Sequence, residues 1–332
     1  MRRRALGLML LGTLVLVAVW WRVRSQPEAD DDSLLNFVPP TADVRKAAHG
    51  DLSQLTPELQ RHFEPSDDFE PMRKPGPSDW LAKHHEGGQT FDDFRQAEPN
   101  RPDQQRHVIY LVAMGEFPEP QSAQLEPLRE FTEAYFTLET KLLPRMPLAE
   151  GQIQSRLNEN THKPQLLTTD LMRVLEQQLP VDAYCLLGIT LSDLFTGSEL
   201  NYVFGQATLR TRVGVFSFAR FDPAFFDDPI PPDVETLMLR RSCRTLAHEI
   251  SHMFGMHHCT FFTCVVNGSN NLAESDSRPI HACPVCLRKL HESVGFDPLK
   301  REEHLLGIYR HLHLDDEAAW VERRLRRLRT AP

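Results

Sequence analysis

The stretch His248-Glu249-Ile250-Ser251-His252-Met253-Phe254-Gly255-Met256-His257-His258-Cys259 decides how the rest of the chain is read. On an α-helix, residues four apart share a face, so His248 and His252 can offer both imidazoles to one zinc ion while Glu249 reaches a metal-bound water. The flanks support a helix: Leu239, Cys243, Leu246, Ile250 and Phe254 form a core-facing stripe, Asp233 can cap the start, and Gly255 suits a left-handed termination. Past that glycine the chain turns, and His258 arrives three residues later as a third ligand, completing H-E-x-x-H-x-x-G-x-x-H. His257 is the adjacent competitor, but the spacing favours His258. Five residues alone could be surface histidines matching by chance; the added glycine and third histidine leave that reading little room.

A second ligand set begins one residue later. Cys259-x4-Cys264 and Cys283-Pro284-Val285-Cys286 supply four thiols in two close pairs, the arrangement of a closed tetrahedral structural zinc site. Two disulfides are the alternative, and an oxidising compartment would favour them. Cys185 and Cys243 fall on predicted core-facing positions and are expected as buried free thiols. Composition fits a folded, metal-binding chain. Of 332 residues, 41% are hydrophobic and 25% charged, which argues against a wholly disordered, fibrous or polytopic membrane protein. A net charge of −9 excludes a generally basic, nucleic-acid-coating protein, so no nucleic-acid partner is expected.

Working towards the amino terminus, the pattern predicts a platform beneath the zinc helix. Val108–Ala113 and Ala183–Thr190 read as buried strands, Leu128–Leu142 and Leu167–Leu179 as amphipathic helices, and Tyr202–Gln206 and Val213–Phe218 as two closely spaced strands. A further short strand near Leu142–Met146 is possible, and Asn158–Pro164 reads as a loop. This order implies an α/β fold: a mixed twisted sheet with one antiparallel edge strand, an active-site helix, and a carboxy-terminal helical part, Leu290–Phe296 and Leu299–Leu314, stapled by the cysteine site.

With these words in place, the chain resembles the archaemetzincins, a metzincin-related group with a catalytic zinc and a second zinc held by four cysteines. The resemblance is carried by His248 to Cys259, Cys264, Asn267-Gly268-Ser269, Arg278-Pro279 and Cys283-Pro-x-Cys286-Leu-Arg-Lys-Leu. Supporting words are Pro77-x-Asp79-Trp80-Leu81, Gly88-Gln89-Thr90-Phe91, Gly188-x-Thr190-Leu191-x-Asp193-Leu194 and Val213-Gly214-Val215-x-Ser217-Phe218-Ala219-Arg220, so it spans roughly residues 70–300. It implies a metzincin-like fold, a zinc metallopeptidase acting on peptide or protein substrates, with cleavage near peptide amino termini among the family's suggestions, and an antiparallel edge strand, here Tyr202–Gln206, that holds extended substrate. Two Zn2+ per chain are expected, one catalytic on His248, His252 and His258 with Glu249 as general base, one structural on Cys259, Cys264, Cys283 and Cys286. One position departs from the family pattern: Val266 stands where a methionine forms the apolar floor under the catalytic metal. The alternative function is therefore a non-catalytic, zinc-dependent peptide-binding protein, against which the general base between two ligands argues.

The two ends complete the expected layout. Arg2, Arg3 and Arg4 precede an uncharged apolar run, Ala5–Trp21, and Arg22 and Arg24 follow it. Residues 1–25 thus read as a membrane anchor or a signal segment; the Trp20-Trp21-Arg22 boundary favours an uncleaved single-pass anchor with the catalytic domain outside the cytoplasm, and secretion after cleavage is the alternative. Residues 26–105 carry 17 acidic and 8 basic side chains and ten prolines, an acidic stalk that is expected to dock only from about residue 76. Residues 106–314 are the expected peptidase domain. Residues 315–332, with Arg323-Arg324-Leu325-Arg326-Arg327, are expected as a solvated basic helix or tail, the alternative being a membrane-surface or anionic-partner patch. A monomer is expected.

Overall fold

The computed structural model describes residues 37–330, apart from Pro120, Glu150, Ser198 and Glu199. Its strands are β1 Val108–Met114, β2 Thr140–Met146, β3 Ser155–Leu157, β4 Pro164–Leu167, β5 Ala183–Thr190, β6 Asp193–Phe195, β7 Gly205–Ala207 and β8 Val213–Ser217. The helices are α1 Ala42–Ala48, α2 Pro57–Phe63, α3 Trp80–Lys83, α4 Phe91–Gln96, α5 Leu125–Phe136, α6 Thr168–Gln177, α7 Val234–Met253, α8 Leu272–Asp276, α9 Pro284–Val294, α10 Pro298–His311 and α11 Asp315–Thr330.

The main sheet has the order β2-β1-β5-β8-β7, parallel except for β7, which runs antiparallel to β8 at one edge. β1, β5 and β8 are buried throughout and read as near-continuous apolar runs, as strands covered on both faces must. Alternation divides the core in two. Ile109, Leu111, Cys185, Leu187 and Phe216 face α5 and α7, whereas Val108, Tyr110, Val112, Leu186 and Val215 face Leu171 and Leu175 of α6. The α/β architecture with one antiparallel edge is therefore as the sequence implied. The helix expected to run to Leu142 stops at Phe136, because Thr137 adopts a left-handed conformation (φ 53°) that turns the chain into β2. A second sheet, β3-β4-β6, went unpredicted; strands of three or four residues are too short to show a period.

The stalk expectation is corrected from residue 41 onward. Thr41, Thr56 and Thr90 cap α1, α2 and α4 with their hydroxyls. Phe63, Phe69, Leu81 and Phe94 are buried in the core. Arg288 on α9 donates to the Asp51 carbonyl (2.8 Å), and Lys289 to Gln89 Oε1 (3.1 Å). The described part of this segment packs against the carboxy-terminal helices. The solvated basic tail is corrected likewise: α11 packs on α10, and the fully buried Arg324 bonds Glu302 at 2.7 Å.

The membrane expectation also needs correction. Among the described residues no helix is long and apolar enough to cross a membrane; the 20-residue α7 carries Glu235, Arg240, Arg241, Arg244 and Glu249. The Ala5–Trp21 run on which the anchor rested lies outside the described residues. A membrane-anchored, single-pass placement is not supported.

Candidate active site

α7 places His248 and His252 one turn apart, with Nε2 atoms 3.0 Å from each other. Gly255 (φ 84°) then turns the chain sharply; a side chain there would meet Pro99 at 3.0 Å. His258 follows, and its ligand atom lies within 4.8 Å of those of His248 and His252. His257, the competitor, is exposed and is not one of the three converging histidines, its backbone N–H bonding Gln89 Oε1.

Each imidazole is oriented through its other nitrogen. His248 Nδ1 lies 2.9 Å from the Val265 carbonyl, His252 Nδ1 2.7 Å from the Met256 carbonyl, and His258 Nδ1 2.7 Å from Glu86 Oε1. Because these partners accept, all three Nδ1 atoms carry protons and the three Nε2 lone pairs converge. Burial holds His248 well below its usual range and takes His252 down to about 3, so both are neutral at physiological pH. Neutral, converging, pre-oriented imidazoles are what zinc requires. Glu86 escaped the sequence reading, although it lies beside the Gly88-Gln89-Thr90-Phe91 word. Burial opposes its ionisation, but hydrogen bonding, led by that from His258, helps to outweigh it, and the carboxyl lies below its ordinary value.

Glu249 is buried beneath the same point. Burial pushes its carboxyl up to about 8, against the opposing charge of Arg244, which suits a group that must take up and release a proton. β7 runs so close that a Cβ on Gly205 would lie 2.6 Å from Glu249 Oε1. These groups open into a cleft of about 640 Å³ whose walls include Trp80, Glu86, Tyr202, Gly205, Arg244 and Ser269.

The four cysteines converge immediately behind His258. Cys259, Cys264, Cys283 and Cys286 are all buried, all free thiols, and their sulfurs lie within 4.8 Å of one another. Cys259 and Cys283 are 3.6 Å apart; tetrahedral Zn–S bonds of about 2.3 Å place sulfurs about 3.8 Å apart. Hydrogen bonds from the other thiols hold Cys259 well below the ordinary thiol range, while burial pushes Cys283 well above it. Four such thiols cannot all ionise together without a cation between them, so the donor set fits zinc. Asn267 clamps the knuckle, accepting from the Cys264 N–H (2.7 Å) and donating to the Cys259 carbonyl (2.7 Å). Cys185 and Cys243 are buried free thiols elsewhere.

Comparison with known proteins agrees. The profile of peptidase family M54 matches residues 169–292. Archaemetzincin-2 of Homo sapiens is 36% identical over 290 residues, covering 79% of each chain, as is that of Pongo abelii. The chain belongs to the archaemetzincin family. Archaemetzincin-1 of Homo sapiens is 32% identical over 254 residues, covering 68% of this chain and 51% of its own. A solved archaemetzincin from Methanopyrus kandleri gives a TM-score of 0.46 at 28% identity, covering 58% of this chain and 97% of that one. As an archaemetzincin, this protein is a zinc-dependent metallopeptidase, and the non-catalytic alternative raised by Val266 is not favoured. In the structure Val266 is fully buried and its carbonyl accepts from the Cys259 N–H at 2.9 Å, while the neighbouring Val265 carbonyl orients His248. The turn thus reaches the ligands through its backbone, which a side-chain change leaves in place.

Proposed function

We propose that the peptidase reaction is carried by Glu249 as general base, with His248, His252 and His258 holding a catalytic zinc, and Cys259, Cys264, Cys283 and Cys286 holding a second, structural one. The observation that carries this reading is the convergence of three Nδ1-anchored imidazoles above a buried carboxyl. When bound, the catalytic zinc supplies Lewis-acid polarisation of water and of the scissile carbonyl. Glu249 takes the proton of the attacking water as its oxygen bonds the carbonyl carbon, and delivers it to the departing amine nitrogen as the C–N bond breaks. A carboxyl whose pKa lies near the working pH can serve in turn as base and as acid. β7 contributes position: as an antiparallel edge it can pair with an extended peptide and draw it past Glu249.

The test is cleavage of a peptide library by the full chain and by Glu249→Gln at equal zinc loading, with metal counted by mass spectrometry. Two zinc ions in each protein and a loss of at least about 1,000-fold in kcat for Glu249→Gln are expected. Equal turnover in both would end the general-base assignment, and one zinc with two disulfides would end the structural one.

A further inference from the structure

We propose that Arg244 is a specificity-determining residue of the cleft and takes a carboxylate of the peptide substrate, within about two residues of the cleaved bond. This rests on the peptidase reading above, which leaves Arg244 without a role.

Arg244 stands one turn before His248 on the same face of α7, about 6 Å along the axis. An extended peptide advances about 3.3 Å per residue, which sets the two-residue reach. Its side chain lines the catalytic cleft yet is only 3% exposed. Burying a cation is costly unless it is paired, and among the described residues Arg244 makes no direct ion pair with a carboxylate, Asp276 and Glu249 acting on it only through their charge. Its Nη2 donates only to the hydroxyls of Ser275 and, at 3.4 Å, Thr245. Its Nε is buried and bonds nothing. The acids nearby on α8 are already engaged, Asp276 by Arg241 at 2.6 Å and Glu274 by Arg278 at 2.9 Å. Ser269, on the same cleft wall, also has a buried hydroxyl with no partner. A guanidinium with hydroxyls but no carboxylate hydrogen-bonded to it and its Nε unbonded, beside an unpartnered hydroxyl on the wall of the groove that receives substrate, is complementary to a carboxylate. Burial pulls the Arg244 guanidinium down to about 10, which leaves it cationic at neutral pH. Two groups could supply the carboxylate, an Asp or Glu side chain or the terminal carboxylate of a short peptide.

Both sources can be tested with matched peptides, Glu against Gln at each position flanking the cleaved bond, and free acid against amide at the carboxy terminus. The zinc-loaded full chain and Arg244→Met are compared by the acid-to-neutral ratio of kcat/KM. A ratio of about tenfold or more is expected in wild type for one series, which names the source, and a ratio near one in Arg244→Met. The same peptides are titrated by calorimetry into Glu249→Gln, with and without Arg244→Met, and the Kd ratios are expected to follow. That arm decides the inference even if no peptide is turned over, an outcome that would count against the peptidase reading alone. Equal affinity for acid and neutral peptides in both series, or a preference that survives Arg244→Met, overturns the proposal. Should Arg244→Met fail to fold, Arg244→Lys keeps the charge but loses the fork; its ratio is expected to fall severalfold, and an unchanged ratio is equally fatal.

Discussion

Glu86 shows what a single residue contributes beyond a motif. It lies 172 positions before the histidine it orients, on a loop between α3 and α4, with Oε1 on His258 and Oε2 buried without a partner. A carboxylate behind a ligating imidazole fixes its tautomer and raises its basicity. Glu86→Ala is therefore expected to weaken zinc at the histidine site by about 10- to 100-fold in a chelator competition, with the cysteine site keeping its metal. An unaltered affinity would show that His258 needs no such support. The three histidines and Glu249 were legible because a helix and the turn at Gly255 fix their spacing locally. Glu86 was not, since no local rule connects residues so far apart.

At the scale of the element, the edge strand moved. The sequence predicts Tyr202–Gln206, whereas β7 comprises Gly205–Ala207, with Val203 reaching only an isolated bridge to Leu194. Tyr202 is drawn out of the ladder: Arg220 stacks 3.6 Å over its ring, and its hydroxyl bonds the Asn270 carbonyl at 3.2 Å. Apolar alternation registers that Tyr and Phe want burial, not which partner buries them. The shift brings Gly205 against Glu249, where a methyl group would lie 2.6 Å from Oε1. Gly205→Ala is expected to displace the carboxylate and lower kcat about 100-fold while leaving the melting temperature and zinc content near wild type. Normal turnover in that variant would mean the carboxylate has room to move without loss.

At the scale of the molecule, the two ends of the described chain brace each other. Arg324 of α11 donates to the His62 carbonyl of α2 at 2.7 Å and bonds Glu302 of α10. His62 is 2% exposed, and burial, reinforced by the charge of Arg324, takes its pKa down to about 4. Unfolding exposes an imidazole that protonates near 6.5, so below that pH the unfolded state binds one more proton than the folded one. His62 alone is expected to cost about 1.4 kcal/mol of stability per pH unit as pH falls from about 6.5 to about 4. Urea unfolding of wild type and His62→Gln at pH 7, 6 and 5 measures this as a difference in slope. Parallel slopes would show that His62 takes up its proton in the fold as readily as in the unfolded chain.

The sequence by itself determined the spacing of the three histidines, the apolar strands β1, β5 and β8, and the family, because each depends on residues a few positions apart along one element or turn. Only the tertiary structure decided that an acidic, proline-rich segment packs on the core, that a basic helix buries its arginine, that Glu86 stands behind His258, and that Arg244 lines the cleft with no direct ion pair among the described residues. Composition measures what a segment could leave in water. Burial depends on what distant segments bring against it, and across 172 residues that is settled by packing rather than by pattern.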